Sequence, residues 1–111
     1  MDSVGGVASS LVEHVQDQLP GVTSRAMFGG HGLYLDGVFF AIAYDERLYF
    51  KTDSSTVEAF VAAGMEPFRP PQGHAPKWYY EVPPEVLDDR SALAEWAAAA
   101  VGAARSSAPS P

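Results

Sequence analysis

The chain has 111 residues, of which 47% are hydrophobic and 19% are charged, and its formal net charge is −7. A chain of this length forms one domain and buries roughly two-thirds of its unfolded surface, enough for a core without metal or disulfide crosslinks. It has no cysteine, which excludes a disulfide framework, a thiolate zinc site and a cysteine nucleophile. The acidic balance argues against non-specific nucleic-acid binding, because such binding depends on Lys and Arg contacts with phosphates.

No targeting or membrane-spanning signal is recognisable in the sequence. The N-terminal residues lack the basic and apolar regions of a secretory signal peptide. No apolar run approaches the ~20 residues that a bilayer-spanning helix needs. We therefore expect a cytoplasmic protein.

The first half of the chain predicts a helix followed by an antiparallel meander. Apolar residues in Val7–Leu19 recur at helical spacing, and Pro20-Gly21 ends that helix. We expect one extended strand over residues 22–36, with the glycines between residues 29 and 32 as a bulge or bend in it. Asp36-Gly37 predicts a tight hairpin turn. Two further strands, over residues 38–44 and 47–51, complete the meander.

The second half predicts two helices separated by short strands. Asp53-Ser54-Ser55 offers candidate caps for a helix that ends at Gly64, and Asp88 or Asp89 caps the last helix. Short strands are expected over residues 66–69 and 77–82. The order α-β-β-β-α-β-β-α predicts an α+β fold with a five-stranded antiparallel sheet and helices on one face. We expect residues 1–105 to form the domain and residues 106–111 a disordered tail.

Motifs for catalysis or metal binding are absent from the sequence. The glycine cluster precedes more strand rather than a helix, unlike a phosphate-binding loop. His14, His31 and His74 lack the close spacing of a zinc site. No Gly-x-Ser-x-Gly nucleophile motif occurs. We therefore predict a non-enzymatic protein with no cofactor and no metal.

Strand alternation predicts a distinctive outer sheet face. Aliphatic and aromatic residues are predicted to meet the helices: Leu33, Leu35, Leu48, Phe50, Trp78, Tyr80 and Val82. The opposite face is predicted to carry a partner-binding set of tyrosines and cations: Tyr34, Arg47, Tyr49, Lys51, Lys77 and Tyr79, with Arg25 as a further candidate.

Three interpretations of that face are open. It is an ordinary solvated face with cross-strand pairs, a protein-contact face, or a platform that stacks single-stranded bases. The strand over residues 38–44 is apolar on both faces. Its outer side is therefore exposed unless a partner, a second copy or the chain's own loops cover it.

An ordered set of residues also matches a known family pattern. The set is Arg25-x-Met27-Phe28-Gly29-Gly30-x-Gly32-x-Tyr34, Gly37, Phe40, Leu48-Tyr49-x-Lys51-x-Asp53, Phe60, Gly64, Pro67-Phe68 and Tyr79-Tyr80-x-Val82-Pro83. From about Leu11 to Ala104 the chain resembles the TfoX N-terminal domain, the first half of the Sxy/TfoX competence regulators. Residues of the first part of the motif are expected to be mainly structural: Arg25, Met27, Phe28, Gly29, Gly30, Gly32 and Gly37.

The resemblance implies a two-layer α+β sandwich of the secretion-chaperone-like kind, without assigned catalytic residues. Longer bacterial members promote transcription of competence genes together with a cyclic-AMP receptor protein. This chain is expected to be a stand-alone first domain. We therefore predict a protein-interaction domain and transcription or competence co-regulator, with a protein partner or a homodimer. The alternatives are a nucleic-acid-binding module that uses the tyrosine–cation face, and a small-molecule or anion-binding protein that uses the glycine bend with Arg25 and Lys51.

Overall fold

The architecture is that of a computed structural model, which describes residues 6–27, 30–69 and 78–106. Its elements are α1 (Gly6–Gln18), β1 (Val22–Met27), β2 (Gly30–Leu35), β3 (Val38–Tyr44), β4 (Arg47–Lys51), α2 (Val57–Ala62), β5 (Tyr79–Glu81), α3 (Pro84–Leu87) and α4 (Arg90–Ser106). The strands form one antiparallel sheet in the order β1-β2-β3-β4-β5. The predicted α+β class with a five-stranded antiparallel sheet is confirmed. None of the described helices combines the length and apolar character needed to cross a bilayer.

The strands are divided differently from the prediction. Residues 22–36 form two strands, because β1 and β2 pair antiparallel with Met27 opposite Gly30. The chain therefore reverses between Met27 and Gly30, and the expected bend within one strand is wrong. Two glycines permit a reversal as readily as a bulge, so local sequence does not distinguish them. Phe28 and Gly29 lie outside the described residues.

The region after α2 also differs. Residues 66–69 form a single bridge, Pro67 opposite Tyr80, instead of a strand. The strand expected over residues 77–82 is confined to Tyr79–Glu81. Lys77 lies outside the described residues. The domain boundary stays a prediction, since α4 continues to Ser106 and residues 107–111 are not described.

Two tight turns connect β2 to β4. Asp36 and Gly37 have φ angles of 54° and 78°, the type I′ geometry that matches the twist of a hairpin. Asp45 and Glu46 repeat this geometry with φ angles of 53° and 66°. The Asp36-Gly37 hairpin is confirmed, whereas the second turn places a glutamate where glycine is favoured.

A β-bulge lies in the centre of the sheet rather than at the glycines. Leu33 is opposite Ala41 and Tyr34 is opposite Phe39, which leaves Phe40 as an extra residue in β3. Phe40 and Ala41 therefore both lie in the main core. The bulge shifts the alternation of β3 by one residue, so that Ile42 lies on the opposite face.

The main core lies between the sheet and the helices. Its fully buried members include Val15 of α1, Leu93 of α4, and Phe50 of β4. Small residues of α4, among them Ala97 and Ala100, allow that helix to pack closely on β3 and β4. The sheet face toward these helices is called the helix face below, and the opposite one the outer face.

Local signals end α2 and begin α4 as predicted, whereas the N-cap of α2 is Thr56 rather than the predicted Asp53, Ser54 or Ser55. After α2, Gly64 has φ of 82°, and the N–H groups of Gly64 and Met65 donate to the carbonyls of Val61 and Phe60. These two bonds form a Schellman motif. At the start of α4, the Ala92 N–H donates to Asp89 Oδ1 at 3.0 Å, which confirms Asp89 as a cap.

Candidate functional site

The alternation predicted for β4 is confirmed. Leu48 and Phe50 lie in the main core on the helix face, while Tyr49 belongs to a second cluster on the outer face. Cross-strand pairs place Tyr49 beside Glu81, and Lys51 beside Tyr79. Residues at alternate positions of β4 and β5 therefore share the outer face, as the period of two requires.

The part of the outer face that β3, β4 and β5 form is covered rather than open. Phe68 packs its ring against Tyr49 and Tyr44, with centroid distances of 4.8 and 5.7 Å. Tyr49 is 8% exposed and Tyr79 is 4% exposed. Of the possible covers for this face, the chain's own residues are the ones that bury both tyrosines. The apolar outer side of β3 requires a cover, and residues of the same chain supply it.

Residues 66–69, which we call the cover segment, are held along the edge of β5. The Phe68 N–H donates to the Tyr79 carbonyl at 2.7 Å, and the Glu81 N–H donates to the Glu66 carbonyl at 3.0 Å. These bonds flank the bridge between Pro67 and Tyr80. The backbone pairing positions Phe68 over the outer face, because the cover segment continues the sheet by a short extension.

A second aromatic group occupies the other end of the outer face. Tyr34 stacks on Phe39 at 5.2 Å, and Phe39 contacts Tyr79 at 5.4 Å. The Tyr79 hydroxyl donates to the Phe39 carbonyl at 3.3 Å, and Lys51 Nζ lies 5.5 Å from the Tyr79 ring centroid. Burial, with a smaller effect of Tyr34, raises the pKa of Tyr79 well above its usual range.

A cleft of about 440 Å³ opens between the cover segment and the β4–β5 edge. It is lined by Arg47, Tyr49, Gly64, Glu66, Pro67, Arg69 and Glu81. Arg47 Nη1 lies 3.6 Å from Glu81 Oε1, and the Arg47 side chain is 58% exposed. The cleft thus has a buried tyrosine in its wall and exposed charges of both signs at its rim.

Tyr49 connects the cleft to the outer-face core. Burial raises the pKa of its phenol, and the nearby carboxylate of Glu81 raises it further. Arg47 acts in the opposite direction through its charge and a side-chain hydrogen bond. Tyr49 is consequently a neutral hydrogen-bonding group beside paired charges, rather than a general base at neutral pH.

The predicted partner-binding residues are only partly brought together. Arg47 and Tyr49 line the cleft, whereas Tyr34 and Lys51 are half-buried toward the other end of the outer face. Tyr79 is buried, and Lys77 lies outside the described residues. Glu66, Arg69 and Glu81 also line the cleft, although the sequence pattern did not predict them as site residues. The motif Pro67-Phe68 was the available signal that this region belongs to the site.

The position of Trp78 also differs from the prediction. It was expected on the helix face, but it is 45% exposed and has φ of 72°. The N–H and the hydroxyl of Thr52 both donate to the Trp78 carbonyl at 2.7 Å. The left-handed backbone at Trp78 interrupts the extended alternation, so its side chain does not follow the pattern of β5.

Two glycines in the first part of the family motif are required by the backbone. A Cβ at Gly30 would collide with the Ala43 carbonyl and crowd the Tyr44 ring, so only glycine fits there. Gly37 occupies the left-handed position of its turn. Met27 and Gly32 lie in paired strand positions opposite Gly30 and Arg25.

Arg25 and Lys51 do not form a common anion site. Arg25 lies on β1 and Lys51 on β4, with two strands between them. At about 4.8 Å per strand, the two backbones are roughly 14 Å apart. Within the described ranges, no group of three or more metal-ligating side chains converges. His14 Nε2 lies 3.1 Å from the Leu87 carbonyl, while His31 lies on β2 and His74 is not described.

Comparison with known proteins identifies one family. The model of the TfoX N-terminal domain matches residues 13–104. The match includes the sheet, the cover segment, the cleft, the C-terminal part of α1 and most of α4. No significant match was found among curated proteins.

Proposed function

Because the chain belongs to the TfoX N-terminal domain family, a non-catalytic family linked to the regulation of competence, we propose that it is a non-enzymatic co-regulator of transcription. It acts by binding a protein partner at the cleft between β4, β5 and the cover segment. The observation that carries this proposal is the pair of exposed arginines, Arg47 and Arg69, beside buried Tyr49 in one concave site.

The chemistry of the cleft favours a protein partner. Its rim combines Arg47 and Arg69 with Glu66 and Glu81. Charges of both signs set the register and specificity of a protein interface more than they set raw affinity. Arginine is also enriched in the residues that dominate protein-binding energy.

The burial of the tyrosines disfavours the nucleic-acid alternative. A stacking platform needs exposed aromatic rings, since each base lies flat on one ring. Tyr49 and Tyr79 are covered by Phe68 and neighbouring residues of the second cluster. The net charge of −7 adds long-range repulsion of phosphates.

The cleft combines family positions with positions particular to this chain. Tyr49, Gly64 and Pro67 belong to the pattern by which the family is recognised, whereas Arg47 and Arg69 do not. The resemblance to the family therefore includes residues of the cleft wall but not the two arginines of its rim. The charged rim is where this protein would select its own partner.

The test compares two charge reversals in the full chain. Arg69→Glu changes the cleft rim, and Arg105→Glu makes the same charge change at the end of α4. Tagged variants are expressed in the native cell, and captured proteins are quantified by mass spectrometry. We expect a partner whose recovery falls about tenfold or more with Arg69→Glu only, a loss near 1.4 kcal/mol.

A transcriptional readout complements the capture. Deletion of the gene should change a defined set of transcripts, which the wild-type chain and Arg105→Glu restore and Arg69→Glu does not. Equal recovery of every captured protein with both variants would remove the cleft as the binding site. An unchanged transcript profile in the deletion strain would contradict the regulatory role.

A further inference from the structure

The two edges of the sheet are protected unequally. The edge of β5 that is turned away from β4 is paired with the cover segment, which includes Pro67. Among the described residues, no strand pairs with the outer edge of β1. β1 contains neither Pro nor Lys, and its six pairs with β2 show no register shift. Beyond Val22 such an edge is a template for another strand, because Pro, Lys and a β-bulge, three of the usual protective devices, are absent.

The backbone groups that face outward from β1 can be identified. The Val22 N–H donates to the Leu19 carbonyl at 3.3 Å, and the Val22 carbonyl accepts from Gln16 Nε2 at 3.1 Å. Val22 therefore directs its polar groups away from β2. In an antiparallel ladder this direction alternates from residue to residue. The N–H and carbonyl groups of Ser24 and Ala26 therefore also point away from β2.

We propose that the protein forms a two-fold homodimer in which the β1 strands of two copies pair antiparallel, edge to edge. The two sheets then become one continuous sheet, with the clefts at its far ends. The proposal does not depend on the function of the cleft, which lies three strands away from β1.

A register centred on Ser24 pairs both polar backbone groups of Ser24 and the N–H of Ala26. The N–H and carbonyl of Ser24 pair with those of Ser24 in the second copy. The Ala26 N–H donates to the carbonyl of Val22 in the second copy, which retains a lone pair beside its bond to Gln16. Ser24 and Ala26 have short side chains, so the two backbones can approach to the usual strand spacing.

The same register avoids opposition of like charges. It places Arg25 of each copy opposite Thr23 of the other, on the outer face. A register centred on Arg25 would place two guanidinium groups side by side, which is destabilising. The strand is therefore complementary to itself about a two-fold axis, the commonest symmetry of soluble dimers.

This register predicts that an added negative charge at position 23 strengthens dimerisation, whereas a more negative net charge by itself would weaken it. Thr23→Glu adds an acid facing Arg25 of the second copy twice per dimer, although it makes each chain more negative. We expect dimerisation about threefold to tenfold tighter for Thr23→Glu, and similarly weaker for Thr23→Lys. Thr23 is exposed, so neither change disturbs the core. Sedimentation velocity over a concentration series measures both.

A second variant tests the backbone pairing. Ala26→Pro removes an outward N–H without removing a bond to β2, and Ala26→Ser is its matched control. Ala26→Pro should be monomeric with an unchanged circular dichroism spectrum, and Ala26→Ser dimeric. In the wild type, hydrogen exchange of the Ser24 and Ala26 amides should slow with protein concentration, whereas the Thr23 amide, already bonded within the sheet, should not change.

Several outcomes would overturn the homodimer. One is a wild-type mass that stays monomeric at every concentration, including a monomer that binds an extended peptide at β1. Another is a dimer that persists in Ala26→Pro. A third is Thr23→Lys tightening the dimer more than Thr23→Glu. Because Arg69→Glu should leave the dimer intact, a failure of the cleft proposal is distinguishable from a failure of this one.

Discussion

At the scale of single residues, the character of the outer face depends on whether its tyrosines are buried or exposed. Tyr49 and Tyr79 alternate to the outer face as predicted, yet both are buried there. Phe68 makes the difference, since its ring covers Tyr49 at 4.8 Å. The two tyrosines were expected to form a contact surface but are part of a second core. The side chains available to a partner are therefore the exposed cations at the margin of that core.

Burial of Tyr79 makes the stability of the domain sensitive to alkaline pH. Its folded pKa is raised above the unfolded value of 10.0. The stabilising effect of the neutral phenol is therefore fully present below pH 10 and is lost as the pH rises through the folded pKa. In urea titrations between about pH 10 and 12, Tyr79→Phe should lose less unfolding free energy than the wild type.

Two comparisons make that experiment decisive. At neutral pH, Tyr79→Phe removes only the bond to the Phe39 carbonyl, which contributes about 1 kcal/mol. Tyr44→Phe is the matched loss of one half-buried phenol on the same face. An identical alkaline decline in the wild type and Tyr79→Phe would show that this phenol is not the group responsible.

At the scale of elements, the turns that connect β2 to β3 and β3 to β4 have the same backbone conformation but different sequences. Asp36-Gly37 carries glycine at its second left-handed position, and Asp45-Glu46 carries glutamate there. A left-handed residue with a Cβ costs about 1–2 kcal/mol. The turn after β3 therefore holds strain that the turn after β2 avoids.

Glycine at the strained position should stabilise the fold. We expect Glu46→Gly to raise the unfolding free energy by about 0.5–1 kcal/mol, because relief of strain exceeds the greater entropy of glycine in the unfolded chain. Gly37→Ala should lower it by a similar amount. The space around Gly37 is open, so only backbone conformation is tested there. Equilibrium urea unfolding measures both, and a destabilised Glu46→Gly would be inconsistent with this view of the turn.

At the scale of the whole molecule, charge separates the possible partners. The chain has 14 acidic and 7 basic residues. The described cations are also spread over the molecule: Arg25 lies on β1, Arg47 and Arg69 at the cleft, and Arg105 at the end of α4. In the described part of the chain these cations form no continuous basic surface of the kind that nucleic-acid binding requires.

Single-stranded oligonucleotides should therefore not bind at low salt. Low ionic strength maximises any phosphate attraction, so it is the most permissive condition for this test. Fluorescence anisotropy with labelled DNA and RNA should stay flat up to the highest protein concentration. An affinity that weakens steeply with added salt would instead support the tyrosine–cation platform.

The sequence by itself determined the α+β class, the helix ends at Gly64 and Asp89, the Asp36-Gly37 turn and the alternation of β4. Each of these depends on backbone geometry within a few residues, so a local pattern is sufficient. Only the tertiary structure decided that the glycine cluster marks a chain reversal, that the cover segment buries the outer face, and that Arg47 and Arg69 share a cleft. Those features depend on pairing between residues far apart in the chain, which alternation and turn signals do not encode.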